Sequence, residues 1–512
     1  MNRPPTGMDA LAARGPRRTG PGPFVVLALV SIIPAVALFS VWSWANAQTD
    51  ETEGAPIVPA PIVDPPLPPD PLTNSVMSFR RMATTLSLGL NVEEFQADAV
   101  GFSGALNDRS CSAISVDGRF IGAQNPDLAV LPASTIKLVV AAVALDVLGP
   151  DHRYTTTVVS GVPVADGVID GDLVIVGGGD PLLSSDWYPT SNLEIRPVFN
   201  ETSLDDLADR VVAAGVTTVN GGVVGDGDRY DDEFFAPGWG NGVAGLEAGP
   251  YDALMVNDSR VLGEDQRGRN PSSATAREFA RLLRERNVTI AGDSASGSAT
   301  ALGDDRIEIA SIDSVALVDV IAEMLQNSDN NTAELMVKEI GLGEAASADA
   351  AGGTRQAGLD VMATTLAEWG IDTSAIVLGD GSGLALSNRL TCAALLTVLQ
   401  RPESADAIAA GLPVAGRTGT LADIFVEHPV AGRLLGKTGT LNNPPFNEDP
   451  PATKALAGYL PVDGGGRVEY VLVLNGPTIS DQSEYRPVWG ELVDLLDLYP
   501  SGPSPADLGL LS

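Results

Sequence analysis

Ser134 and Lys137 stand three residues apart at the head of an apolar run, in Pro132-Ala133-Ser134-Thr135-Ile136-Lys137 followed by residues 138–145. On a helix that spacing puts both side chains on one face. A hydroxyl beside a desolvated ammonium is one way to make a nucleophile. Burial lowers the lysine pKa, and the neutral amine then takes the hydroxyl proton. The same residues also fit a plain structural role, with Ser134 capping the helix and Lys137 snorkelling. Lysine usage favours the chemistry. The 31 basic residues include only four lysines, Lys137, Lys338, Lys437 and Lys454. The rest are arginine, which keeps its proton where lysine can lose it. Lys437 opens Lys437-Thr438-Gly439-Thr440, and Ser328-Asp329-Asn330 lies between the two lysine motifs. The two histidines, His152 and His428, have nothing that places them near a nucleophile. No stretch has zinc-ligand spacing, so neither a metal nor a cofactor is expected.

The elements that must hold these residues are readable. Pro132 suits a first helical turn and Gly149-Pro150 an end. Residues 138–145 are apolar on every face, so this helix is expected in the middle of a domain. Before it, residues 111–116 and 120–121 flank Asp117-Gly118, a hairpin turn. Helices are expected over 315–325 and 332–340, with Ser328-Asp329-Asn330 in the loop between them. A strand at 376–378 runs into Asp380-Gly381-Ser382-Gly383, and an apolar helix over 390–399 carries Cys392. Two near-copies follow, Arg417-Thr418-Gly419-Thr420 and Lys437-Thr438-Gly439-Thr440. A hairpin over 455–474 and an amphipathic helix over 488–498 close the chain. This order suits an α/β domain of the layered α+β kind, with an antiparallel sheet whose N- and C-terminal strands meet.

At 512 residues the chain has room for two or three domains. Its net charge of −35 argues against nucleic acid and against charge-driven binding to anionic membranes. Residues 1–47 hold arginines, an apolar run over 24–45 and Ala45-Asn46-Ala47, and read as a signal peptide or a retained transmembrane anchor. Either puts the rest of the chain outside the cytoplasm. Residues 48–77 are a Pro- and acid-rich linker. A single layered domain carrying the serine and lysine motifs is expected over 78–150 and 305–500, interrupted by a β-rich module at 151–304 and followed by a tail at 501–512. In an exported chain Cys111 and Cys392 are either bridged or two buried thiols.

Ser-x-x-Lys, Ser-x-Asn and Lys-Thr-Gly in this order form the motif trio of penicillin-binding proteins and serine β-lactamases. Residues 80–480 resemble the D-Ala-D-Ala carboxypeptidase/endopeptidase family of low-molecular-mass class C penicillin-binding proteins. The resemblance extends through Gly178-Gly179-Asp180-Pro181, Ala333-Glu334, Asp380-Gly381-Ser382-Gly383-Leu384 and residues 412–416, and the family carries a large insert between its first two motifs. It implies a transpeptidase-like domain with a five-stranded antiparallel sheet flanked by helices. It also implies catalytic roles for Ser134, Lys137, Ser328 and Asn330. Lys437, Thr438, Gly439, Thr440 and Asp380 are the implied substrate-binding residues, with Lys437 and Thr438 receiving a substrate carboxylate. The implied substrates are peptidoglycan stem peptides, and β-lactams are the implied covalent inhibitors. One departure is Ala385-Leu386, where the family has Ser-Arg. The rival readings are a serine β-lactamase, for which no Glu-x-x-Leu-Asn loop is found, and an idle wall-binding protein.

Overall fold

The computed structural model describes residues 79–103, 106–193, 196, 198–239, 243–343, 353–442, 452–463 and 466–508. The apolar run at 24–45 and the linker at 48–77 lie outside them. No helix among the described residues is long and apolar enough to cross a membrane.

Five antiparallel strands form the central sheet, in the spatial order Leu435–Leu441, Ala452–Pro461, Arg467–Gly476, Cys111–Val116, Arg119–Gln124. The middle strands are covered on both faces, and so read as nearly continuous apolar runs. Their alternation still sorts the two layers. Ala455, Ala457, Tyr459, Val471 and Val473 face a helical core built around Lys137–Val147. Leu456, Leu460, Leu472 and Leu474 face the helices Phe79–Ser103 and Gln482–Asp497. The helix Lys137–Val147 is buried from Lys137 to Leu145, as its all-round apolar sequence requires. It is entered through a 3-10 turn, Ala133–Ile136, so Pro132 caps that turn and does not open the α-helix itself. Cys111, in the first strand, and Cys392, at the start of the helix Cys392–Leu399, are joined by a disulfide with Cα atoms 5.9 Å apart.

The module between the first two motifs builds its own five-stranded sheet, in the order Ala295–Ser296, Val223–Asp226, Leu173–Val176, Thr155–Ser160, Ile307–Asp313. Two helices pack on it, Leu204–Ala213 and Pro271–Glu285. Three sequence expectations change. The strand Ile307–Asp313, assigned to the peptidase domain, pairs with Thr155–Ser160 and belongs to the insert's sheet. The helix Leu204–Ala213 was not expected, although Ser203 caps it by accepting from the Asp206 N–H. Residues from 501 are also more than a tail. The Pro503 carbonyl accepts from Ser87 Oγ and Asn91 Nδ2, and Gly502 N–H donates to Asn91 Oδ1.

Candidate active site

Ser134 sits on a tight turn squeezed between two other segments. Ala133 has a φ of 49°, a left-handed conformation that costs an ordinary residue on the order of 1 kcal/mol and is tolerated where surroundings enforce it. Two glycines allow that enforcement. A Cβ on Gly383 would lie 2.2 Å from the Ala133 carbonyl oxygen, and one on Gly439 would lie 2.8 Å from that of Pro132. Gly439 thus permits close approach to the nucleophile turn, rather than the approach to substrate its motif suggests.

Lys137 has no exposed surface. Its Nζ donates to Ser134 Oγ at 3.1 Å, to Asn330 Oδ1 at 2.7 Å and to the Ser382 carbonyl at 2.6 Å. Burial pulls its pKa down to about 8, against the opposing pull of Asp380, Asp329 and Glu334. The neutral amine has two N–H groups and one lone pair. Asn330 and Ser382 are fixed acceptors for the two N–H groups, which leaves the lone pair aimed at the Ser134 hydroxyl.

Ser328 ends the helix Leu317–Asn327 in a left-handed conformation, φ 63°, and Asp329 caps the next helix, Asn330–Leu342, by accepting from Thr332 N–H. Lys437 Nζ donates to Ser328 Oγ at 2.8 Å and to the Thr438 carbonyl at 2.8 Å. Lys437 is fully buried, so the expectation that it meets a substrate carboxylate is not met by its geometry. Burial and the charges of Lys137 and Arg196 hold its pKa well below the usual lysine value. Thr438 Oγ1 donates to Thr420 Oγ1 at 2.8 Å. The Thr-Gly-Thr copy at 418–420 therefore contributes Thr420 to the site, while Arg417 lies exposed.

Asp380 is corrected more strongly. Its oxygens accept from the Gly383 and Ala385 N–H groups, Ser382 Oγ, Asn388 Nδ2 and Trp239 Nε1. It is wholly buried and staples its own loop, with no free lone pair for a substrate. That loop carries the Ser382 carbonyl that holds Lys137. Glu334, one helical turn beyond Asn330, steadies it by accepting from the Gly381 and Ser382 N–H groups at 3.1 and 2.7 Å. Burial and Asp380 raise the Glu334 pKa to about 7.

The insert reaches the site directly. The Glu247 carbonyl accepts from Asn330 Nδ2 at 2.8 Å, and Asn331 Oδ1 accepts from Gly249 N–H at 2.6 Å. Lys338, on the same helix, is buried in the insert, donating to the Asp231 and Glu233 carbonyls and pairing with the Asp231 carboxylate at 2.6 Å. Sequence reasoning missed Thr420, Glu334, Glu247 and Trp239. Two of them carried a signal, Glu334 as part of the quoted Ala333-Glu334 and Thr420 as part of the near-copy Arg417-Thr418-Gly419-Thr420.

Ser134, Ser328, Asn330, Thr438 and Thr440 line one cleft of about 590 Å³. A serine held by a buried lysine, a second serine held by a second buried lysine and an edge strand alongside define a serine acyl-transfer site. The chain belongs to the D-Ala-D-Ala carboxypeptidase 3 (S13) family, whose model matches residues 109–268 and 259–496. It is 29% identical over 484 residues to carboxypeptidase DacB of Mycolicibacterium smegmatis, covering 89% of this chain and 93% of that one. It is 28% identical over 432 residues to a D-alanyl-D-alanine carboxypeptidase of Actinomadura, covering 68% and 73%. Among solved structures, penicillin binding protein 4 of Haemophilus influenzae shares the fold, with a TM-score of 0.61 at 19% identity, covering 78% of this chain and 99% of that one.

Proposed function

We propose that this chain, a serine-type D-Ala-D-Ala carboxypeptidase, removes the terminal D-alanine of peptidoglycan stem peptides through an acyl-enzyme on Ser134, and opens D-Ala cross-links at the same site. The observation that carries the residue assignment is the Lys137 geometry, with two acceptors fixing the amine and the third direction occupied by Ser134 Oγ. Neutral Lys137 takes the Ser134 proton as Oγ bonds to the carbonyl carbon of the penultimate residue. The N–H groups of Ser134 and Thr440 stabilise the oxyanion. The C–N bond then breaks, and the leaving amine takes a proton delivered through Ser328, which Lys437 orients. Water attacks the ester and regenerates Ser134. A β-lactam follows the first step and stays attached.

The reaction places the enzyme outside the cytoplasm. The finer reading is that residues 1–47 export the chain, either cleaved or kept as an anchor, with residues 48–77 as a spacer to the catalytic unit. The test is incubation of the ectodomain with purified muropeptides and mass analysis, beside fluorescent-penicillin labelling. Loss of one alanine and covalent label, both absent in a folded Ser134→Ala variant, are expected. Full labelling of that variant overturns the assignment of Ser134. Rapid turnover of a chromogenic cephalosporin would favour the β-lactamase instead.

A further inference from the structure

A C-terminal carboxylate entering this cleft needs a cation, and Lys437 is sealed behind Ser328. The last of the four lysines stands where that charge is missing. Lys454 is the cross-strand partner of Thr440, on the strand next to the one carrying Lys437. Cross-strand partners share a face, with Cβ atoms about 5 Å apart. Lys454 Nζ lies 3.4 Å from Thr440 Oγ1 and 4.9 Å from the centroid of the Tyr485 ring, and Lys454 lines the same cleft as Ser134, Thr438 and Thr440. Among the described residues no carboxylate pairs with it, and Arg486 adds a second positive charge nearby. Two other cations line the cleft, Arg267, already paired with Asp258 at 3.4 Å, and Arg196, which is the competing candidate. This corner is short of negative charge and has two hydroxyls beside it.

We propose that Lys454 is the specificity-determining cation that receives the C-terminal carboxylate of the leaving D-amino acid, in a subsite shared with Thr438 and Thr440. The proposal rests on Ser134 being the acylated residue. A carboxylate seated there accepts a charge-assisted hydrogen bond from Nζ and one from a threonine hydroxyl, which places the scissile bond between Ser134 and Ser328. Blocking the carboxylate as an amide removes the charge and leaves Lys454 unsatisfied.

The experiment compares a diacetyl-Lys-D-Ala-D-Ala peptide with its C-terminal amide, as the ratio of their kcat/KM values. The proteins are the wild type, Lys454→Ala, Lys454→Gln, Lys454→Arg and Arg196→Ala, each checked by thermal melting. The acid-to-amide ratio is expected to fall about 10- to 150-fold in Lys454→Ala and Lys454→Gln, the range of a hydrogen bond to a charged group. Lys454→Arg should retain most of the preference. An unchanged ratio in folded Lys454→Gln overturns the proposal, as does a collapse seen in Arg196→Ala alone. A wild type that takes no penicillin label and cleaves neither peptide sinks the Ser134 reading and takes the Lys454 assignment with it. A labelled, active wild type with an unchanged Lys454 ratio sinks the Lys454 assignment alone.

Discussion

Lys437 Nζ lies 2.8 Å from Ser328 Oγ and has no surface facing the cleft. A residue so placed acts through the serine it holds. Lys437→Ala should therefore lower kcat, by about 10²-fold or more if Ser328 carries the proton, while KM changes little. Steady-state kinetics on a D-Ala-D-Ala peptide separate the two constants. A mutant with normal kcat and a much raised KM would contradict the burial of this side chain.

The pH dependence of acylation follows from Lys137, whose pKa is drawn down to about 8. The amine works as a base only when neutral, so the second-order rate of penicillin acylation should climb between about pH 7 and 9. Glu334 opposes that depression through its negative charge. Glu334→Gln keeps an acceptor for the Ser382 N–H and removes the charge, so the midpoint should move to lower pH. An upward shift, or none, would show that Glu334 does not act on Lys137 electrostatically.

Glu339 ties the insert to the helix Asn330–Leu342 by accepting from Arg229 and Tyr230, with His152 3.4 Å away. Burial works against its charge, but these partners win and hold its pKa down at about 2. A depressed carboxylate pKa adds stability above the unfolded value of about 4.5, and that stability is lost as pH falls through 2. The contribution is on the order of 3 kcal/mol. Urea unfolding at pH 6 and pH 3 should show a smaller acid-induced loss in Glu339→Gln than in the wild type. Equal losses would place the acid sensitivity elsewhere.

The Cys111–Cys392 bridge spans 281 positions of sequence. In the chain-entropy model, closing so long a loop stabilises by on the order of 5 kcal/mol, less any strain. Thiol titration of the denatured, unreduced protein should find no free thiol, and the double Cys→Ser variant should melt well below the wild type. Two titratable thiols in the purified ectodomain would reject the bridge.

What the sequence revealed was local. Ser134 and Lys137 share a helix face by spacing alone, and Ser328-Asp329-Asn330 announces itself by sitting between two helical patterns. The hairpins of the central sheet were legible from apolar alternation and turn residues. Partners brought in by folding were not. Thr420 meets Thr438, and the Glu247 carbonyl meets Asn330, across distances no motif spans. Asp380 misled because an acid in a glycine-rich turn looks available, whereas its neighbours' own N–H groups fill its oxygens. The helix Leu204–Ala213 was hidden in a stretch of short β-rich runs, and its apolar stripe is only four residues, Leu204, Leu207, Ala208 and Val211. Lys437 and Lys454 look equally exposed as letters. Only the sheet decides which is sealed and which opens to the cleft.

The strand Cys111–Val116 hydrogen-bonds to Arg467–Gly476, and the strand bearing Lys437 reaches it only through Ala452–Pro461. The hairpin leading into the nucleophile turn can pair early within itself, Cys111–Val116 with Arg119–Gln124, but it is joined to the strand bearing Lys437 only when almost the whole chain has been made. Such long-range pairing folds slowly, because the loop must close before any contact rewards it. A nascent chain that stops short of residue 467 lacks the sheet that sets Thr438 and Thr440 beside Ser134. The cleft around Ser134 is thus completed only at the end of synthesis, and a partly made chain carries the nucleophile turn without the edge strand that belongs beside it.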